Sequence, residues 1–343
     1  MTNSYPTKQL GQNGPWVSAI GLGAGGISGA FYGKADRTEI FKMLSYAADR
    51  GVSFWDTADY YGDSEEIIGE WFAKTGRRSD IFLASKFGAA DLREGPNKGK
   101  TCSEPSYIKQ ALQRSLKLLQ TDHIDLYYQH RVDPAVPIEI VLETLRPFVE
   151  SGQVKWLGLS ECSASTLRRA KAVPGVGEKV VAVQMEYSPF ELSIETTGLL
   201  EAAKELGVGI VAYSPLGRGL ITGRYQSPDD LDDDDVRRLL PRFSRENFPK
   251  NLALADHFKT MSEKYQASTS QIVLAWIVAQ GFIPVPGTRV VARLEENAHG
   301  AEITLSREDV QVLRKYVEEA DVHGARHITL PQGDCIKLAD WKN

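Results

Sequence analysis

Eight short β-rich runs recur along the chain, each leading into a longer segment of helical spacing. The runs are VSAIGLG, SFWDTAD, IFLASKFG, IDLYYQH, VKWLGLS, VAVQMEYS, GIVAYSP and FIPVPG. Between them, SEEIIGEWFAK, SYIKQALQRSLKLLQ and IEIVLETLRPFVES place apolar residues at the period of an amphipathic helix. Strand–helix alternation calls for parallel pairing with right-handed crossovers. Eight such units close most naturally into an α/β (β/α)8 TIM barrel. Ahead of it, TKQLGQNGPWVSAI carries a Gln-Asn-Gly turn between short runs and predicts a β-hairpin. Asp63 with Glu66 reads as a capping box, and Ser103 with Ser106 as a second helix start. The expected organisation is a single domain over 1–343, with the barrel core at about 16–300 and a C-terminal helix and tail at 301–343. Long loops are expected at the C-terminal mouth. The stretch from Gly217 to Asn251, which carries SPDDLDDDD, reads as a solvated insert and not as a metal site.

Composition excludes several function classes. No run of 18 apolar residues is present, so no membrane span is expected. The segment MTNSYPTKQL lacks the basic and apolar regions of a secretory signal. Three scattered cysteines, Cys102, Cys162 and Cys335, are too few for a disulfide framework or a zinc cluster, which suits a reducing cytoplasmic compartment. A net charge of −5 offers no electrostatic footprint for nucleic acid. Nothing in the sequence reads out an oligomeric state.

Polar residues collect where the strands end. In a barrel of this kind the active-site groups lie at the C-terminal ends of the strands and in the loops that follow. Asp56 closes one run and leads to Tyr61; Lys86, His130, Ser160 with Glu161, Gln184 with Tyr187, and Tyr213 with Ser214 close the next five. Lys86 follows the apolar IFLAS run and is expected to be buried, where an ammonium needs a carboxylate partner. Asp56 on the adjacent strand is the nearest candidate. A lysine charge beside Tyr61 would stabilise a phenolate, which makes a phenol usable as a proton donor near neutral pH.

The motifs DTADYYG, ASKFG, YYQHRVDP, VKWLGLSE, VQMEYSPF, AYSPLGRGLITG and IPVPGTRVVARLEEN resemble those of the aldo-keto reductases over nearly the whole chain. GLSECSASTLRRA is most similar to pyridoxal reductase-like members. The resemblance implies reduction of an aldehyde or ketone by NADPH, with a catalytic tetrad of Asp56, Tyr61, Lys86 and His130 and no metal. Tyr61 would donate the proton and His130 would orient the carbonyl oxygen. It further implies that Tyr213 stacks under the nicotinamide while Ser160 and Gln184 hold its carboxamide. Gly23, Ala24 and Gly25 would touch that same half of the cofactor. Ser214, Pro215, Leu216, Gly217, Arg218 and Gly219 would follow the pyrophosphate. Gly287, Thr288, Arg289, Arg293, Glu296 and Asn297 would enclose the adenosine end. Phe31, Tyr32, Tyr60, Phe87 and Arg131 are expected to wall the substrate pocket, which suits a small carbonyl compound, aromatic or planar.

Two positions depart from the family pattern. Glu161 stands where many relatives carry Asn, and Gly287 where some carry a phosphate-binding Lys. The 2′-phosphate would then fall to Arg289, Arg293 or Arg218.

Rival readings are weaker. Gly21, Gly23 and Gly26 fit the dinucleotide fingerprint G-x-G-x-x-G, but the next residues, ISGAFYGKAD, make a poor helix start. A Schiff-base lyase would need Lys86 as an uncharged nucleophile, and Asp56 opposes that. Potassium-channel β subunits resemble the same family and act as cofactor-binding regulators, a role that a complete tetrad disfavours. His323 and His327 stand at i, i+4 spacing, but Gly324 between them indicates a solvated tail and not a metal pair.

Overall fold

The Gln-Asn-Gly turn links β1 (Thr7–Gln9) to β2 (Trp16–Ser18), which pair antiparallel as a hairpin. In this computed structural model, residues 5–29, 36–327 and 333–342 are described; Phe31 and Tyr32 lie outside them. An eight-stranded parallel sheet follows: β3 (Leu22–Gly23), β4 (Phe54–Asp56), β5 (Phe82–Phe87), β6 (Ile124–Gln129), β7 (Val154–Ser160), β8 (Val180–Glu186), β9 (Gly209–Tyr213) and β10 (Ile283–Pro284). The first run of the sequence is thus divided between the hairpin and the barrel. Its Ala19–Gly21 stretch forms the corner between β2 and β3.

The sheet closes on itself. Gly21 N–H donates to the Pro284 carbonyl (2.9 Å), Gly23 N–H donates to that of Pro286 (3.1 Å), and Gly23 bridges Gly287 in parallel. A Cβ on Gly23 would lie 2.6 Å from the Val285 carbonyl oxygen, so the first and last strands can meet only where a side chain is missing.

Alternation along each strand separates two cores. Phe54, Ala84, Leu126, Tyr128, Ala182, Val211 and Ile283 point inward and fill the barrel, joined by Leu10 and Val17 from the hairpin. The hairpin therefore plugs the N-terminal end. Trp55, Leu83, Phe87 and Tyr127 point outward, beneath the helices. Those helices are α1 (Arg37–Arg50), α2 (Ser64–Thr75), α3 (Pro105–Leu118), α4 (Ile138–Glu150), α5 (Ala164–Lys171), α6 (Ser193–Thr196), α7 (Leu199–Glu205), α8 (Phe248–Tyr265), α9 (Thr269–Ala279), α10 (Val291–His299) and α11 (Arg307–Glu319). Among the described residues, no helix is long and apolar enough to cross a membrane.

Helix starts differ from expectation. Asp63 is the N-cap residue of α2, yet its carboxylate accepts from Arg37 (2.9 Å) and makes no cap bond. Ser103 accepts from the Gln129 amide (2.9 Å), and α3 begins at Pro105, whose missing N–H suits a first turn. A full capping box does form at α9, between Ser268 and Gln271.

The Gly217–Asn251 insert is a chain of short 3₁₀ turns before α8. Most of its aspartates are exposed, as expected. Asp235 is the exception: it is buried and bound to Arg237 through both carboxylate oxygens.

Candidate active site

Strand parity brings Asp56, Lys86 and His130 to one end of the barrel. On β5 the inward set is Phe82, Ala84 and Lys86, and this carries the ammonium into the mouth with 0% exposure. Its Nζ donates to Asp56 Oδ1 (2.5 Å) and to the Thr57 carbonyl (2.8 Å). Asp56 Oδ2 accepts from the Gln184 amide (2.8 Å), which fixes the carboxylate on both sides. Ala24 N–H holds the Asp56 carbonyl (2.8 Å). Burial works to discharge Lys86, but the Asp56 carboxylate and the Tyr61 hydroxyl outweigh it and raise its pKa. The lysine stays a cation.

Tyr61 hangs over this pair from the loop after β4. Its ring centre is 5.0 Å from Lys86 Nζ and 5.5 Å from the His130 ring, to which it stands edge-on at 86°. Gly25 lies against the ring; a Cβ there would meet it at 3.4 Å. Burial, with the charges of Arg131 and Lys86, lowers the His130 pKa well below its usual value, so the imidazole is neutral at pH 7. A phenol and a neutral imidazole thus face one cavity, with the buried cation 5.0 Å from the phenol ring. Together they can polarise an oxygen and deliver a proton to it.

The cavity measures about 850 Å³. Asp56, Tyr60, Tyr61, His130 and Arg131 line it, as do Gly23, Gly25, Tyr213, Ser214, Pro215, Leu216, Arg218, Gly219, Gly287, Thr288, Arg289, Arg293 and Asn297. Ser214 and Arg218 hold left-handed backbone at φ 48° and 56°, a conformation that non-glycine residues adopt chiefly under local constraint.

Other expected residues lie off its wall. Ala24 is buried behind it, and Gly217 packs against Phe190. Glu296 is ion-paired to the cavity residue Arg224. Gln184 spends its amide on Asp56, while Ser160 Oγ accepts from Arg131 (3.4 Å). Phe87 requires a correction: it is fully buried outside the barrel against Tyr127 (5.1 Å between ring centres) and walls no pocket. The neighbour of an inward residue on a strand must point outward.

The tail is not solvated near the site. Arg326 grips Glu161 through two bonds, and His327 lines the cavity beside Tyr213. Sequence reasoning passed over Arg326; the only available signal was the acid at position 161, which calls for a cation. It also passed over Arg224, Tyr225 and Arg237 of the insert, which line the cavity too.

Known proteins resemble this chain over nearly its whole length. The Aldo/keto reductase family profile matches residues 19–318. Aldo-keto reductase str7 of Strobilurus tenacellus is 49% identical over 331 residues, spanning 94% of this chain and 95% of that protein. Aldo-keto reductase yakc [NADP(+)] of Schizosaccharomyces pombe is 45% identical over 332 residues, with the same shares of 94% and 95%. Among solved structures, the thermostable aldo-keto reductase Tm1743 in complex with the inhibitor epalrestat superposes with a TM-score of 0.72. It is 29% identical and the match covers 91% of this chain and 99% of that one. The chain belongs to the aldo/keto reductase family.

Proposed function

We propose that this chain reduces an aldehyde or ketone to an alcohol with NADPH, using Tyr61 as proton donor. The observation that carries the reading is the buried Lys86–Asp56 pair beside Tyr61 and the neutral His130. NADPH, when bound, supplies the hydride. The cavity would take a dinucleotide, since Thr288, Arg289, Arg293 and Asn297 line it together with Asp56, Tyr61 and His130. Arginine's planar fork suits a phosphate, so Arg293 and Arg289 would hold the one that distinguishes NADPH from NADH.

Each residue has a separate task. Asp56 keeps Lys86 charged and in place. Lys86 stabilises the negative charge left on Tyr61 as its proton moves to the carbonyl oxygen. His130 donates a hydrogen bond to that oxygen and so sets its position. Tyr60, 46% exposed at the mouth, offers a ring for a planar substrate. No covalent bond to the protein is needed. The test is a screen of carbonyl compounds, pyridoxal-type and other aromatic aldehydes included, read as loss of NADPH absorbance. No turnover across aromatic and aliphatic members would sink the proposal.

A further inference from the structure

Glu161 directly follows β7, with its backbone left-handed at φ 52° and its side chain 3% exposed. Four donors meet its carboxylate. Arg326 Nη1 and Nη2 reach Oε1 (2.8 Å) and Oε2 (2.6 Å). The Tyr213 hydroxyl donates to Oε1 (2.8 Å), as does the Glu186 N–H (3.2 Å). Burial works against the charge, but Arg326 and the other donors outweigh it and hold the Glu161 carboxyl below the usual range.

The tail that delivers Arg326 is tied down on both sides. His323 N–H donates to Asn251 Oδ1 and its carbonyl accepts from Asn251 Nδ2, each at 2.9 Å. Further on, the Gly333 carbonyl accepts from Ser163 N–H (2.9 Å), two residues beyond Glu161. His327 continues the contact: its Nε2 lies 3.3 Å from the Tyr213 hydroxyl and its Nδ1 3.4 Å from Arg218 Nη2.

We infer that Arg326 is a positioning residue for the nicotinamide shelf, fixing the Tyr213 ring through Glu161 and so tying the C-terminal tail to cofactor binding. A phenol ring on a strand end turns about two torsions, and a buried ionic acceptor for its hydroxyl removes that freedom. The acceptor depends on Arg326. Without a cation, a carboxylate so deeply buried takes up a proton or leaves its place. Protonation weakens the hydrogen bond that holds Tyr213, and departure removes it. Glu161 thus serves as the link between tail and shelf, a use that a neutral Asn at this position would not supply.

The inference rests on the cavity being a nicotinamide nucleotide site, and its test separates the two. Calorimetric titration compares NADPH with adenosine 2′,5′-bisphosphate, which carries no nicotinamide. Arg326→Ala weakens NADPH about tenfold, the lower end for one charge-assisted contact, and leaves the bisphosphate within about twofold. Arg326→Lys restores part of the loss. Glu161→Ala gives a loss of the same size, and the double variant loses no more, because both act through one link. Unchanged bisphosphate binding also shows that the variants fold. Equal losses on both ligands, undiminished NADPH binding, or additive losses in the double variant would overturn the inference. If the wild type binds NADPH but reduces no carbonyl, the proposed reaction fails while this comparison still decides the role of Arg326. A wild type that binds neither ligand overturns both.

Discussion

Lys86 Nζ sits 2.5 Å from Asp56 Oδ1, with the lysine fully buried and the carboxylate nearly so. A buried ion pair adds little stability by itself, but removing one partner strands the other charge. Lys86→Met is therefore expected to lose turnover and to cost about 3 kcal/mol or more in stability. Thermal denaturation and a turnover assay together check this. A second measurement bears on the lysine's chemistry: borohydride added with substrate should leave the protein mass unchanged, and a trapped adduct on Lys86 would contradict a purely electrostatic role.

Tyr61→Phe keeps the ring against Gly25 and removes the transferable proton. Turnover should fall about 10²-fold or more, a typical share for general acid catalysis. NADPH affinity should stay close to the wild-type value. A variant that turns over at nearly the wild-type rate would remove Tyr61 from the role of acid.

Arg293 lines the cavity alongside Thr288 and Arg289. Arg293→Ala should weaken NADPH by about tenfold to a hundredfold, as one charge-assisted contact contributes roughly 1.5–3 kcal/mol. NADH should change less. Titrating both nucleotides decides the matter, and equal losses would mean that Arg293 holds adenine and reads no phosphate.

Behind the site, Asp59 is buried between Tyr107 and Arg114, whose Nη2 lies 2.9 Å from its Oδ2. Burial, with the neighbouring Glu65 charge, pushes its pKa from 3.8 up to about 7. The folded protein then keeps a proton that the unfolded chain releases, so this contribution to stability is full below about pH 4 and is lost as pH rises toward about 7. Melting temperatures from pH 5 to 8 should fall for the wild type relative to Asp59→Asn. Glu65, raised in the same direction by burial, acts in both proteins. Parallel curves would refute the assignment.

The sequence disclosed what depends on local pattern. Eight strands, their order and the gathering of Asp56, Lys86 and His130 at one end follow from alternation and from polar residues at strand ends, because strand parity and barrel closure leave few choices. Parity also held the answer for Phe87, one residue beyond the inward Lys86. What escaped depends on partners distant in the chain. Asp63 gave up its cap for Arg37, Ser103 went to Gln129, and Arg326 lies 165 residues from the Glu161 it serves. No periodicity announces such pairs. They form only after the barrel has brought its loops together.

The meeting of Gly23 with Gly287 also sets a schedule. Strand β3 is the first of the eight barrel strands a ribosome releases, and its neighbour β10 the last. Until both have emerged, the cylinder is an open sheet with two raw edges, prone to pair with other chains. The glycine-lined seam beside Tyr61 is the last course laid. No amino-terminal fragment that stops short of the eighth strand can close this mouth, and a carboxy-terminal nick that frees β10 reopens it.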